Sequence, residues 1–158
     1  MNQRTVALLI VGAIALFLLV AAVVVGLVIG GLIGTIADRG GGLQVRTEQP
    51  QSMDELRDSY RLETGSLEIN LEDLTLPKDT TDLGASVENG ALTVVVPKGV
   101  AVSTHAEVGD GSLSMLGTNL YGENLDKDYE SEGYGRADRR LSLDLSAGTG
   151  AISVVRGE

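Results

Sequence analysis

A five-residue pattern recurs four times between residues 65 and 154. Each copy has Gly, then Ser or Ala, then Leu or Ile, then a polar residue, then an apolar residue. The copies are Gly65–Ile69, Gly90–Val94, Gly111–Met115 and Gly150–Val154. Apolar and polar residues also alternate before each copy, which is typical of strands that bury one face. Because glycine adopts corner conformations closed to other residues, the pattern predicts a strand–corner–strand unit.

The spacing of the copies predicts an all-β domain of stacked short strands. Successive copies begin 25, 21 and 39 residues apart, and periods of roughly 20 to 50 residues indicate repeat architectures. A β-solenoid is favoured because small aliphatic residues can stack in its rungs. An antiparallel β-sandwich is the alternative, in which Asn89-Gly90 would form a type I′ hairpin turn.

The longest spacing contains an acidic segment, Thr118–Arg139 (the insert, 118-139). Asp126, Asp128, Glu130 and Glu132 alternate there and Gly133 follows. Carboxylates are the ligands that Ca²⁺ prefers, but the glycine does not stand at the sixth loop position that an EF-hand requires. We therefore predict a solvated loop between rungs.

The N-terminal part of the chain carries a long uncharged run, Thr5–Ala37, in which 26 of 33 residues are apolar. As a helix it would be about 50 Å long, against a hydrocarbon core of about 30 Å. It predicts a single membrane-spanning anchor in residues 1-37 that contacts lipid through residues 5-37. A flexible juxtamembrane linker (38-59) and the β-repeat domain (60-158) follow, with the domain expected outside the cytoplasm.

Three glycines of the anchor, Gly26, Gly30 and Gly34, lie four residues apart. Glycines at this spacing share one helix face and let a second helix approach closely. They predict packing against another membrane protein or a second copy of this chain.

The composition excludes several classes of function. With 22 acidic and 12 basic residues the net charge is −10, which argues against a nucleic-acid partner. There is no cysteine, and His105 is the one histidine. His105 follows a predicted strand, and the sequence has no recognisable nucleophile motif to pair with it, so we expect an ordinary strand-end residue. We assign no catalytic, metal or cofactor-binding residue and no small-molecule substrate, and predict that the chain is not an enzyme.

One apolar feature falls outside the predicted core. Val95, Leu116 and Val155 occupy equivalent positions in three copies, on the face opposite the buried one. A row of exposed apolar residues marks a contact surface. The alternative is a second packed layer against the insert or the linker.

The run from Gly90 to Val102 has the form G-x-L-x-V-x-V-P-x-G-V-x-V, and Val108–Leu113 has the form x-G-x-G-x-L. These motifs resemble the C-terminal "toast-rack" β domain of cell-envelope stress-response proteins of the LiaF and LiaG type, which also occurs in adhesin families. The resemblance, over residues 60 to 157, implies a β-solenoid, a membrane context and no catalytic residues. One span instead of several is closer to the LiaG-like layout.

These observations together predict a single-pass protein of the bacterial cell membrane. The resemblance implies an accessory or scaffold role in the cell-envelope stress response, and we expect the protein to act by protein–protein contact. The alternative is a surface adhesion module whose acidic insert binds a cation or a glycan.

Overall fold

A computed structural model describes residues 44–157 of the chain. Its elements are strands β1 (Gln44–Glu48), β2 (Ser59–Asn70), β3 (Asp79–Val96), β4 (Ala101–Met115), β5 (Thr118–Glu130) and β6 (Arg139–Arg156), with one 3₁₀ turn at Tyr134–Arg136. The strands form one sheet in the order β1-β2-β3-β6-β4-β5. The predicted anchor and its three glycines, Gly26, Gly30 and Gly34, lie outside the described residues.

The four glycine-led copies lie side by side in the sheet. Gly65 pairs with Gly90, Gly90 with Gly150, and Gly150 with Gly111. The repeat that the sequence shows along the chain thus becomes a row of glycines across neighbouring strands, which we call the glycine row.

At the glycine row each long strand exchanges its buried and exposed positions. In β3 the odd-numbered residues from Thr81 to Val87 are buried before Gly90, and the even-numbered residues from Leu92 to Val96 are buried after it. β6 and β4 show the same change. Residues from both sides of the row belong to one hydrophobic cluster. The sheet is therefore folded along the row, with a first arm before the glycines and a second arm after them.

The fold line brings neighbouring backbones into close approach. A Cβ atom built on Gly90 would lie 1.8 Å from the carbonyl oxygen of Gly65, and one on Gly150 would lie 1.8 Å from that of Gly90. Both glycines have φ near +140° (142° and 141°), a conformation that is essentially closed to residues with a side chain. Glycine is thus required at the fold for both steric and conformational reasons.

The all-β prediction is confirmed for the described residues, whereas the antiparallel sandwich is wrong because four of the five strand pairings are parallel. The strands also depart from a coil whose rungs follow chain order, since β6 lies between β3 and β4. The chain turns after β4 into β5, which covers the far edge of β4. The remaining edge of β4 is therefore the one that β6 occupies, and the sheet is mixed.

Two segments predicted to lack regular structure contain strands. Most of the insert is strand β5, antiparallel to β4, and the loop prediction is wrong for residues 118–130. Three side chains of this strand pack against the core: Leu120, Leu125 and Tyr129. Because charged and polar residues separate them in the sequence, they do not show the alternation of apolar and polar residues that is typical of a half-buried strand. Within the predicted linker, Gln44–Glu48 forms β1 beside β2 and Pro50 is buried, so the sheet begins before residue 60.

We expect Gly90→Ala to lower the free energy of unfolding of the full chain by at least about 3 kcal/mol, since the substitution adds backbone strain to a clash with main-chain atoms. Denaturant unfolding followed by circular dichroism measures the loss. Gly135→Ala is the matched control, because nothing lies within 4 Å of a Cβ at Gly135, and it should change stability by less than about 0.5 kcal/mol. Equal stability of the two variants would contradict the role of the glycine row.

Candidate functional site

The outer surface of the second arm is nearly free of charge. Its outward residues on β2, β3, β6 and β4 are small or polar, and we call this surface the neutral face: Ser66, Glu68, Asn70, Ala91, Thr93, Val95, Ala151, Ser153, Val155, Ser112 and Ser114. Glu68 is its one charged member, and burial raises the pKa of that carboxyl above its usual range. A surface with one charged residue loses less hydration free energy when a partner covers it than a highly charged surface does.

The predicted apolar row lies along one end of the neutral face. Val95 pairs in register with Val155, and the backbone N–H of Leu116 donates to the carbonyl of Val154 at 3.1 Å. Val155 is 41% exposed, whereas Val95 and Leu116 are half-buried. Leu116 and Val155 also line a shallow cavity of about 430 Å³ together with Tyr129. The structure therefore brings the three predicted residues together, and their role in contact remains a prediction.

The outer surface of the first arm is acidic on β4 and β5, and we call this surface, with Glu107, Asp126 and Asp128, the acidic face. Glu107 lies opposite Asp126, and the next outward pair joins His105 to Asp128. Like charges directly opposite each other on neighbouring strands destabilise the pairing. The interactions of His105 with these carboxylates therefore affect the stability of the pairing between β4 and β5.

His105 lies within β4 and not at a strand end, which corrects the prediction. Its Nδ1 is 2.9 Å from Oδ1 of Asp128 and 3.8 Å from Oδ1 of Asp126, and its Nε2 is 3.5 Å from Oε1 of Glu107. Asp144 of β6 pairs with His105 in register. The hydrogen bond to Asp128, supported by the charges of Asp128 and Asp126, raises the pKa of His105 above its ordinary value of 6.5.

Asp126 and Asp128 of the insert both approach His105, but the carboxylates of the insert do not gather around a common cation position. Asp126, Asp128 and Glu130 alternate along β5, and alternate residues of a strand are about 7 Å apart. Within residues 44–157, no group of three or more His, Asp or Glu side chains could hold a metal ion. Three of the four carboxylates that suggested a cation site in the sequence are thus spread along β5, and Glu132 lies beyond its end.

A groove of about 690 Å³ lies beside the first residues of β3 and was missed by the sequence analysis. Asp58, Asp82 and Asp144 line it, and they come from a turn and from two strands that are distant in sequence. Gly84 also lines it, and the signal was a glycine at an outward position between the buried Leu83 and Ala85. We call this site the β3-edge groove.

Comparison with known proteins bears on the family. The model for the C-terminal domain of LiaF, a cell wall-active antibiotics response protein, matches residues 50–154. A solved structure from Clostridium sporogenes, described as a "putative cell adhesion protein", is 24% identical and covers 63% of this chain and 54% of that chain, with a TM-score of 0.44. This chain thus spans about half the length of that protein. No curated protein sequence matches at a significant level.

We expect the hold of β4 on β5 to weaken as pH rises. The pKa of His105 is higher in the folded chain than its ordinary 6.5, so the pairing contributes fully below that value and is lost as pH rises through the raised value. Hydrogen-exchange protection of the β5 amides, corrected for intrinsic rates, should fall over this range.

The Asp128→Asn variant should return the pKa of His105 towards its ordinary value and flatten this pH dependence, as imidazole NMR titration would measure. Glu130→Gln is the matched control on the same strand. If both variants titrate like the unchanged chain, Asp128 does not set the pKa of His105.

Proposed function

The chain belongs to the family of LiaF-like C-terminal domains, and we propose that it is a membrane-anchored, non-catalytic accessory protein of the bacterial cell-envelope stress response. The family match over residues 50–154 is the observation that carries this proposal. The neutral face supports it, because this face is an exposed surface against which another protein can dock and is not a pocket lined by reactive groups. In this proposal the protein works by contact with other proteins.

The anchor in the proposal is Thr5–Ala37, uncharged over its whole length. It would tether the β domain at the outer surface of the membrane and raise its effective concentration for membrane partners. Within residues 44–157, the structure holds no helix with the length and apolar character of a membrane span. Gly26, Gly30 and Gly34 would select a partner helix in the bilayer or a second copy of this chain.

The contact surface in the proposal is the neutral face with its apolar row of Val95, Leu116 and Val155. Depletion of charged residues is one feature that distinguishes the centre of protein interfaces from the rest of a surface, and the apolar row supplies the hydrophobic part of the contact. The acidic face would stay in solvent, since burying its carboxylates without partners is costly.

We expect a photo-cross-linker at Val155 of the full chain, expressed in its native membrane, to capture a signalling protein of the envelope stress response or a second copy of this chain. Mass spectrometry identifies the captured protein. In a second experiment with the cross-linker at Leu116, Val155→Glu should reduce capture by roughly tenfold, because it places an unpaired charge in the interface. Ser146→Glu, on the outer face of the first arm, should leave capture unchanged. Recovery of lipid-metabolising enzymes alone would contradict the proposed role.

We expect a reporter fused after Glu158 to be active only when it is one that requires an extracytoplasmic location. The reason is that the proposal places the β domain, which precedes Glu158 in the chain, at the outer surface of the membrane. A paired fusion with a reporter that works only in the cytoplasm is the control. Activity of the cytoplasmic reporter would reverse the proposed orientation.

A further inference from the structure

The β3-edge groove exists because β2 starts late relative to β3. β3 begins at Asp79, but the first β2 residue paired with it is Ser59, opposite Gly84. The first residues of β3 therefore pair with β6 on one side and have no strand beside them on the other. An unpaired stretch of strand edge presents backbone groups that can bind an extended chain.

The direction of the free backbone groups follows from the hydrogen bonds at each end of this stretch. The N–H of Gly84 donates to the carbonyl of Asp58 at 2.8 Å, on the β2 side, and the N–H of Asp79 donates to the carbonyl of Asp138 at 2.9 Å, on the β6 side. Peptide groups of a strand alternate in direction. The N–H and C=O of Asp82 thus face the groove, as they would face a neighbouring strand.

The side chains that line the groove differ between its two faces. Asp58, Asp82 and Asp144 are exposed on the outer side, and no lysine or arginine is among the lining residues. On the inner side, Thr81 is 8% exposed and its Oγ1 has no hydrogen-bond partner within the described residues. A buried hydroxyl without a partner costs stability and is rare in native proteins. The groove thus has negative charge on its outer side and, on its inner side, an unsatisfied hydroxyl beside the apolar side chains of Leu56 and Leu83.

Gly84 leaves a depression in the outer surface at this point. A Cβ built there would lie 3.6 Å from the carbonyl oxygen of Asp58 and 3.9 Å from that of Asp144, so the space is open to a small side chain. Gly84 is not among the glycines with positive φ. A larger residue can therefore fill the depression without straining the backbone.

We propose that the β3-edge groove binds an extended peptide segment of a partner protein that carries a lysine or arginine side chain. The segment adds beside β3 and exchanges hydrogen bonds with the N–H and C=O of Asp82. Side chains of an added strand alternate between its two faces. Its basic side chain lies over Gly84 among the three carboxylates, and its next side chain faces Leu83 and the hydroxyl of Thr81. This inference rests on the proposed contact function and names the chemistry of one contact.

The test uses the full chain in detergent micelles and two fluorescent five-residue peptides, one of alternating Lys and Val and one of alternating Glu and Val. Fluorescence anisotropy should show that the Lys–Val peptide binds and the Glu–Val peptide does not. Gly84→Thr and Asp82→Asn should each raise the dissociation constant by roughly tenfold, by filling the depression and by removing a charge. The NMR signal of the Asp82 amide should shift when the Lys–Val peptide is added.

Two control variants separate the groove from general attraction to an acidic protein. Ser86→Thr places a threonine at the next outward position of β3, outside the groove. Glu107→Gln removes one charge from the acidic face. Both variants should leave the dissociation constant within about twofold. The proposal is overturned if Glu107→Gln weakens binding as much as Asp82→Asn, if Gly84→Thr and Asp82→Asn have no effect, or if neither peptide binds.

The cross-linking experiment at Val155 judges the accessory role separately. Recovery of a signalling partner with no peptide binding in the groove leaves the accessory role standing and removes this inference. Selective binding of the Lys–Val peptide with no signalling partner recovered supports the peptide-binding groove and removes the accessory role.

Discussion

The close approach of glycine backbones along one row is the constraint on which the rest of the structure depends. Gly65, Gly90, Gly150 and Gly111 stand in register on four neighbouring strands, and no space is left at the row for a side chain. Because every strand must fold at the same place, the register across the sheet is fixed. A slip of one residue would place a Cβ atom against a neighbouring carbonyl and turn the buried face outward.

The fold along the glycine row also divides the outer surface into two chemistries. Each arm buries one set of alternating side chains in the common core and shows the other set to solvent. The outward set of the first arm carries most of the carboxylates on β4 and β5, whereas that of the second arm is serine, threonine, alanine and valine with Asn70 and one carboxylate, Glu68. One sheet thus presents an acidic face and a neutral face that can serve different purposes.

Two further features of the sheet lie where strands pair, one between β4 and β5 and one where β2 begins. At one edge β5 is held to β4 across opposed carboxylates, with His105 hydrogen-bonded to Asp128 among them. Nearer the other side of the sheet, next to the edge strand β1, β2 begins five residues later than β3: β3 starts at Asp79, whereas Ser59, the first residue of β2, pairs with Gly84. That offset opens the β3-edge groove. Such features depend on where strands start and stop and on which residues pair, and the alternation of polar and apolar residues in the sequence does not specify these positions.

The sequence by itself determined strands β2, β3, β4 and β6 and the place where they fold, because alternating polarity and recurrent glycine are local signals. It also indicated Val95, Leu116 and Val155 as one row, since equivalent positions in a repeat become neighbours when the copies align. The tertiary structure decided the strand order, the strand in the insert, the carboxylates around His105 and the groove at Gly84. Those arise from pairings between residues distant in the chain, and pairing energy is not visible in the order of residues along it.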